Sequence, residues 1–334
     1  MQRFALIGAG FIGSVHAASL AANAGIDFRL VYDVDPDRAG ALAAEHGAEA
    51  VADVDRAFDP AEIDAVVIAS STDTHAEHLR RAADAGIAAF VEKPIDAALD
   101  RAVEIVEYVE AAGIPAMVDF NRRFDRDHAE LQRLVRTGEL GTPSLVQMTS
   151  RGPSLPPIAY LEVSGGQMRD QTVHFFDLAR WILGVDPVEV QVMGAVATDP
   201  RVGEIGDVDT SVATLRLPGG GLVQIDSVRE TAYGYDERIE VLGSKGLAES
   251  GRMRAGNVTR LVGDRAVSNG LHAGWFERVQ PTYAASLDAF VRALEAGSSV
   301  MPVTLRDGLK AQAVAEAATR SLASGRAERI EYPG

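Results

Sequence analysis

The first 120 residues alternate between short apolar runs and segments in which apolar residues recur every three or four positions. Apolar runs predict strands at 3–8, 28–33, 65–70, 88–92 and 115–120, and the longer period predicts helices at 13–23, 37–46, 75–85 and 99–112. Strands alternating with helices are typical of a parallel α/β sheet. Such a sheet has right-handed crossovers and a ligand crevice at the carboxyl ends of its strands.

The pattern changes after about residue 144. Strand-like segments at 145–151, 189–197, 209–217, 222–229 and 238–243 predict an antiparallel sheet, with a hairpin turn at Gly219-Gly220-Gly221. Helical periodicity covers 167–183, 281–296 and 307–323. A length of 334 residues agrees with two domains, and we place the boundary near residue 120.

Composition narrows the range of partners. The formal net charge of −16 disfavours nucleic acid and anionic membranes as partners and favours a neutral substrate. The longest apolar stretches are far shorter than the roughly 20 residues of a membrane-spanning helix. With no cysteine, and with a strand pattern that begins almost at Met1 and leaves no room for a signal peptide, the sequence predicts a cytoplasmic protein.

A glycine-rich turn lies between the first predicted strand and helix. Gly8, Gly10 and Gly13 form a GxGxxG motif, and Asp33 ends the next strand 20 residues beyond Gly13. In this context Gly8 permits a tight turn, Gly10 lets backbone amides approach a pyrophosphate, and Gly13 allows close helix–strand packing. Asp33 is expected to bind the adenosine ribose hydroxyls and to repel a 2′-phosphate. The motif therefore predicts NAD as the cofactor.

The fold class follows from these patterns. We predict an N-terminal Rossmann dinucleotide-binding domain over residues 1–120 and a C-terminal α+β domain over residues 121–334. The second domain is expected to contain a large, mostly antiparallel open sheet.

Two further segments carry chemistry. Lys93 follows the fourth long strand in Glu92-Lys93-Pro94, where a lysine can bind a substrate hydroxyl, although a surface lysine is the common alternative. Asp170 and His174 are four residues apart on a predicted helix, so they share a face. A carboxylate beside a histidine suits a general base, although an exposed pair of no catalytic use fits the spacing equally well.

The hydroxyl-rich stretch from Ser70 to His75 ends the preceding strand, where it could contact the cofactor or cap the following helix. His75 and His78 are three residues apart, but no cysteine or carboxylate is placed to complete a metal site. We expect these two histidines to serve in capping and surface packing.

Together these motifs resemble the glucose–fructose oxidoreductase/inositol dehydrogenase (Gfo/Idh/MocA) superfamily over nearly the whole chain. Within it, the similarity to inositol dehydrogenases rests on four stretches, at 121–125, 150–160, 233–236 and 243–246. The resemblance implies a catalytic trio of Lys93, Asp170 and His174. It also implies that the second domain binds substrate and mediates oligomerisation. The expected protein is a homotetramer that oxidises a cyclic polyol, most of all myo-inositol.

Residue roles carry over position by position. The residues expected to contact the cofactor are Gly8, Gly10, Phe11, Ile12, Gly13, Asp33, Ser70, Ser71, Thr72, His75, Glu92 and Lys93. Those expected to contact substrate are Lys93, Asn121, Arg122, Arg151, Asp170, His174 and Tyr233. For Arg122 and Arg151 the alternative is a solvated surface position, and for Tyr233 it is an ordinary strand aromatic.

Two departures affect the substrate prediction. Gly152 stands where many relatives have aspartate, and Phe175 follows the histidine where an acidic residue is frequent. Both are expected near the pocket, so scyllo-inositol or an aldose remains an alternative substrate. A catalytically inactive NAD-binding regulator is a more remote alternative, disfavoured by the complete trio.

Overall fold

A parallel sheet of six strands forms the centre of the first of two units in the computed structural model, which describes all 334 residues. Its strands are β1 (Gln2–Ile7), β2 (Ile26–Tyr32), β3 (Glu49–Ala50), β4 (Ala65–Ile68), β5 (Ala88–Val91) and β6 (Ala116–Val118). They lie in the order β3-β2-β1-β4-β5-β6. This is the strand order of dinucleotide-binding folds, and it confirms the predicted Rossmann domain.

Four helices connect these strands. They are α1 (Phe11–Ala22), α2 (Pro36–His46), α3 (Thr72–Ala85) and α4 (Leu99–Ala112). Two short 3₁₀ helices, Val54–Phe58 and Asn121–Phe124, complete the unit's N-terminal part. The central strands β4 and β5 are buried at every position, as continuous apolar runs in a doubly covered parallel sheet should be.

The second unit contains a seven-stranded mixed sheet and a separate two-stranded hairpin. Its strands are β7 (Pro143–Arg151), β8 (Glu189–Ala195), β9 (Thr210–Arg216), β10 (Leu222–Val228), β11 (Asp236–Gly243), β12 (Gly246–Ser250), the hairpin β13 (Thr259–Val262) and β14 (Arg265–Ser268), and β15 (Glu328–Arg329). The sheet order is β12-β11-β7-β10-β9-β8-β15, and only β7 and β10 pair in parallel. The mostly antiparallel sheet is therefore confirmed.

The helices of this unit's first part are α5 (Arg126–Arg136), α6 (Ile158–Leu161), α7 (Val173–Leu183) and α8 (Pro200–Glu204). A π-helical turn, Met168–Thr172, precedes α7. The predicted glycine hairpin joins β9 to β10, with Gly220 at φ +87° and the Leu217 amide donating to the Gly221 carbonyl.

Near its C-terminus the chain passes through both units. Helices α9 (Trp275–Glu295) and α10 (Leu305–Ser324) follow the hairpin, but residues Pro281–Lys310 belong to the first unit. This segment lies in the part of the sequence that we assigned to the second domain. The segment belongs to the first unit because its apolar and polar side chains contact matching residues of the parallel sheet. Phe290 packs on Phe4 and Phe90, and Ser286 donates a hydrogen bond to buried Asp119.

His78 does not have the surface role that the sequence predicts. It is buried on α3, and its ring stacks on Phe58 with centroids 5.9 Å apart. Burial lowers the pKa of His78 to about 4. The ring therefore belongs to the apolar core.

The longest helices, α9 and α10, have 21 and 20 residues. Neither of them, nor any other helix, combines the length and apolar character needed to cross a membrane.

Phe290→Ala should destabilise the first unit although the residue is distant in sequence from the rest of it. Phe290 is fully buried between two phenylalanine rings, so the change leaves a cavity and should cost about 3–5 kcal/mol in unfolding free energy. Urea denaturation would measure this. Val300→Ala is the matched control, since Val300 is 68% exposed in the same segment. Equal midpoints for the two variants would contradict the packing described here.

Candidate active site

The turn between β1 and α1 requires glycine at two positions. Gly8 has φ +100°, and a Cβ there would lie 2.5 Å from the Ala69 carbonyl oxygen. A Cβ on Gly13 would lie 2.0 Å from the carbonyl oxygen of Gly8. A Cβ on Gly10 would instead meet nothing within 4 Å. Two glycines thus permit the close packing of strand and helix, and the third faces open space.

The beginning of α1 is suited to an anion. Gly10 is its N-cap, no side chain caps its first amides, and the first turn carries no acidic residue. Exposed Phe11 and half-buried Ile12 follow. Backbone amides at the positive end of a helix dipole favour a phosphate group. These residues therefore fit the pyrophosphate of a dinucleotide.

Asp33 supports this turn from the end of β2. Its two carboxylate oxygens accept hydrogen bonds from the Ala9 amide at 2.6 Å and the Asp35 amide at 2.8 Å. Each oxygen keeps a second lone pair that can accept from a ribose hydroxyl. Arg38, the first cation after Asp33 in the sequence, donates to Asp35 at 2.9 Å and so is drawn toward a different carboxylate.

His75 connects the ends of two neighbouring strands. It is buried, with Nδ1 2.8 Å from the Pro94 carbonyl oxygen and Nε2 3.0 Å from that of Ser70. The sequence predicted a role in helix capping and surface packing for His75, and the structure shows neither. The Ser71 side chain also makes no capping hydrogen bond at the start of α3, where Thr72 begins the helix.

Lys93 and Asn121 follow the neighbouring parallel strands β5 and β6. The carboxyl ends of parallel neighbours lie at one edge of a sheet, where such folds bind ligands. Lys93 is half-buried, two residues after the end of β5. Asn121 and Arg122 are buried, and the Asn121 side-chain oxygen accepts a hydrogen bond from Arg122 at 3.1 Å. Arg122 therefore does not occupy the solvated position that was its alternative.

In the second unit, Asp170 lies in the π-helical turn before α7. The sequence predicted an α-helix throughout 167–183, but the α-helix begins only at Val173. Hydrogen bonds fix this turn against its neighbours: the Gln171 side-chain amide donates to the carbonyl oxygens of Ser150 and Val228, and the Gln167 backbone amide donates to Asp207. Such π-turns are frequent at functional sites.

The Asp170 carboxylate is held from two sides. Tyr160 donates its hydroxyl to Oδ1 at 2.8 Å, and Arg229 donates Nη1 to Oδ2 at 3.1 Å. Arg229 is almost fully buried, and its Nη2 also donates to Asp207 at 3.0 Å. One guanidinium therefore links two carboxylates, and Asp207 is itself hydrogen-bonded to the start of the π-turn. His174, on the first turn of α7, is half-buried.

Arg151 and Tyr233 form a separate pair. Arg151 donates to Asp226 and to the Tyr233 hydroxyl, the latter at 3.2 Å. Thr172 of the π-turn donates to Ser227. Because adjacent strand residues point to opposite faces, Asp226 and its partner Arg151 lie on the sheet face opposite to the π-turn. This unit therefore does not bring Arg151 to Asp170, and the role of Arg151 and Tyr233 as substrate ligands stays a prediction.

The two departures from the family pattern have packing explanations. A Cβ on Gly152 would lie 2.5 Å from the Arg229 carbonyl oxygen, so this position is closed to larger residues. Phe175 is 1% exposed and belongs to the core under the sheet. Neither residue therefore presents a side chain to a ligand.

Comparison with known proteins agrees with this geometry. Residues 2–120 match the family described as oxidoreductase family, NAD-binding Rossmann fold, and residues 128–249 match the GFO/IDH/MocA C-terminal domain. The chain belongs to the GFO/IDH/MocA oxidoreductase family. Its relatives in that family include the inositol 2-dehydrogenase of Rhizobium meliloti, which is 40% identical over 97% of this chain and 98% of that protein.

Two further GFO/IDH/MocA proteins match over nearly full length. The myo-inositol 2-dehydrogenase of Thermotoga maritima is 37% identical and covers 99% of both chains. A crystal structure described as a putative myo-inositol dehydrogenase from Sinorhizobium meliloti superposes with a TM-score of 0.94 at 39% identity, over 99% of this chain and 100% of that one. The resemblance stated from the motifs is thus confirmed, as are the oxidoreductase class and NAD as cofactor.

Three residues that contact Asp170 or Glu92 were not predicted from the sequence of this GFO/IDH/MocA chain. Tyr160 and Arg229 hold Asp170, and His16 lies buried beside Glu92. The only sequence signal for His16 is a histidine among apolar helix positions. Nothing local distinguishes Arg229 from other arginines at strand ends, because its two partners are 59 and 22 residues away along the chain.

Arg229→Met should destabilise the protein by about 3 kcal/mol or more, because two largely buried carboxylates lose their shared cation. Urea denaturation at pH 7 would measure the loss. Arg216→Met is the matched control, since Arg216 pairs with Glu189 near the surface, where such pairs contribute at most about 1 kcal/mol. Similar losses in the two variants would show that burial of Arg229 is not what matters.

Proposed function

We propose that this protein is an NAD-dependent dehydrogenase that oxidises the axial hydroxyl of myo-inositol to the 2-keto product. The observation that carries the proposal is the phosphate cradle at Gly8–Gly13, with Asp33 beside it and Lys93 at the same sheet edge. Relatives at 37–40% identity named inositol or myo-inositol 2-dehydrogenase support the substrate.

We assign the proton-transfer role to His174 and the alkoxide-stabilising role to Lys93. NAD, when bound, accepts the hydride and its two electrons from the hydroxyl-bearing carbon. His174 takes the hydroxyl proton as the carbon–oxygen double bond forms. Lys93 binds the same oxygen through its ammonium group and stabilises the negative charge that develops there.

Asp170 orients His174 in this proposal, and two neighbours hold Asp170 in turn. A carboxylate must keep one rotamer to orient an imidazole, and the hydrogen bonds from Tyr160 and Arg229 fix both of its oxygens. The buried Arg229 guanidinium also compensates the charge of Asp170. These are the contacts expected of a carboxylate with a positioning role.

Asn121 and Arg122 are proposed to bind the other hydroxyls of the polyol. Their amide and guanidinium groups are buried at the end of β6, next to the strand that Lys93 follows. Neutral hydrogen-bonding groups and one cation suit an uncharged polyol. Such a substrate also agrees with the acidic net charge of −16, which would repel an anion.

We further infer that the protein is a cytoplasmic homotetramer. The absence of cysteine suits a reducing compartment. Exposed apolar side chains, Met193, Val212, Leu242 and Leu247, lie on the second unit's sheet, and Met193 pairs with Val212 across β8 and β9. Exposed apolar side chains on a sheet are typical of a surface that another copy covers.

A substrate panel tests the proposed reaction. NADH formation would be followed at alkaline pH with NAD and myo-inositol, scyllo-inositol, D-glucose or D-xylose, and we expect the highest kcat/KM with myo-inositol. A panel led by another polyol would contradict the substrate but not the chemistry. Bound NAD without turnover of any polyol would contradict the reaction.

Lys93→Ala and His174→Ala should each lower kcat by about 100-fold or more, because each removes a group that acts on the reacting oxygen or its proton. The variants should keep the wild-type unfolding midpoint. Exposed Lys245 and peripheral His46 provide the matched controls, Lys245→Ala and His46→Ala. Near-wild-type turnover in either site variant would contradict the role assigned to that residue.

Asp33→Ala should narrow the preference for NAD over NADP by about tenfold or more, because the change removes both the ribose acceptor and the charge that repels a 2′-phosphate. The ratio of kcat/KM for the two cofactors measures it. Asp37→Ala, on the exposed first turn of α2, should leave the ratio unchanged. An unaltered ratio in Asp33→Ala would mean that another residue selects the cofactor.

A further inference from the structure

Three ionisable side chains meet in the interior of the first unit, apart from the residues assigned above to catalysis. His16 projects from α1, Glu92 follows β5, and Asp119 follows β6. His16 Nε2 lies 2.8 Å from Glu92 Oε1 and 3.9 Å from Asp119 Oδ2. The side chains of His16 and Asp119 are fully buried, and that of Glu92 is 12% exposed.

The surroundings of this cluster close it from solvent. The rings of Phe90 and Tyr283 lie edge-on to His16, with centroids 5.5 and 5.6 Å away. Ser286 donates its hydroxyl to Asp119 Oδ1 at 2.6 Å. Buried polar groups are costly unless they satisfy one another, so a cluster of this kind fixes the geometry of the elements that supply it.

The electrostatics agree with a mutually dependent set. Burial alone would lower the pKa of His16, but the hydrogen bond to Glu92 and the charges of Glu92 and Asp119 raise it. Burial, together with the Glu92 charge, raises the pKa of Asp119 to about 8. The pKa of His16 therefore depends on its two carboxyl neighbours, and that of Asp119 depends on its burial beside Glu92.

Glu92 connects the buried cluster to Lys93. Its Oε1 is engaged by His16, while its Oε2 accepts a hydrogen bond from the Lys93 backbone amide at 3.2 Å. On the other side of Lys93, His75 holds the Pro94 carbonyl oxygen. The backbone of Lys93 is thus held on both sides, by Glu92 and by His75. The Glu92 side is connected through His16 to α1, the helix that follows the glycine-rich turn.

We propose that His16 is a positioning residue for Lys93, acting through the carboxylate of Glu92, with Asp119 as the third member of the buried cluster. The proposal rests on the assignment of Lys93 to the proposed dehydrogenase reaction. It makes His16 a link between the helix that would bind the cofactor phosphates and the lysine that would bind the reacting hydroxyl.

The decisive comparison is between His16→Leu and His16→Gln, measured with NAD and myo-inositol. Glutamine places an N–H donor near the position of Nε2, whereas leucine only fills the space between the two aromatic rings. We expect His16→Leu to lower kcat about tenfold or more, with the Kd for NADH within about twofold of wild type, and His16→Gln to restore most of the loss. A residue needed only for packing would give the reverse order, because leucine suits an apolar environment better than glutamine.

His78→Leu is the matched control, because His78 is a buried histidine of the same unit that stacks on Phe58 and plays no part in the cluster. It should leave kcat unchanged. Wild-type activity on myo-inositol is established first, so an inactive wild type would count against the proposed function, and an active wild type with equal kcat in His16→Leu would overturn the positioning role alone. Loss of wild-type activity on dialysis against EDTA would also overturn it, by assigning the three side chains to a metal ion.

Glu92→Gln provides a second test that does not depend on the folding of His16→Leu. Its amide oxygen can accept from His16 or from the Lys93 amide but cannot make both bonds as the carboxylate does, so kcat should fall below that of the wild type. The double variant His16→Leu/Glu92→Gln should be no slower than the slower single variant, because both changes break one connection. Losses that multiply in the double variant would show independent roles and overturn the proposal.

Discussion

The close approach of β1 to α1 determines much of what the first unit can do. A Cβ on Gly13 would lie only 2.0 Å from the carbonyl oxygen of Gly8, and Gly8 itself has φ +100°, so the helix can begin at the strand's end only if both residues are glycine. That packing sets where α1 begins, and no side chain caps its first turn. From the same helix, His16 reaches Glu92 and Asp119, which follow β5 and β6. The phosphate cradle and the buried cluster thus both depend on how α1 lies against β1.

The second unit meets a different constraint, which is the burial of charge. Asp170 and Asp207 would be costly so far from water without a cation, and Arg229 serves both. Hydrogen bonds from Gln167 and Gln171 also tie the π-turn to Asp207 and to the carbonyl oxygen of Ser150. The segment that carries Asp170 is therefore defined by its partners on the sheet more than by its own helical tendency.

Local sequence patterns predicted the helices and strands. Contacts between residues far apart in the sequence determine how those elements pack, and local patterns could not predict these contacts. The glycine turn, Asp33 and the apolar strands are encoded within about 30 residues, so the Rossmann architecture could be predicted well. The place of Pro281–Lys310 could not, because an amphipathic helix does not specify which sheet it will cover. The same holds for Arg229 and His16, whose roles depend on partners 59 and 76 residues away. The spacing of residues in the sequence suggested the catalytic roles. The side chains that hold the catalytic residues in place could be identified only from the structure.

The segment Pro281–Lys310 has a consequence for how the chain is made. A ribosome releases the N-terminal part first, and domains composed of continuous sequence can fold while the rest is still being synthesised. Here the parallel sheet lacks Phe290 and Ser286 until nearly nine-tenths of the protein has emerged, so Asp119 and the ring of Phe90 must wait for their partners. The nucleotide-binding unit, although first to be translated, completes its interior among the last, and a chain cut short before α9 would leave that interior exposed.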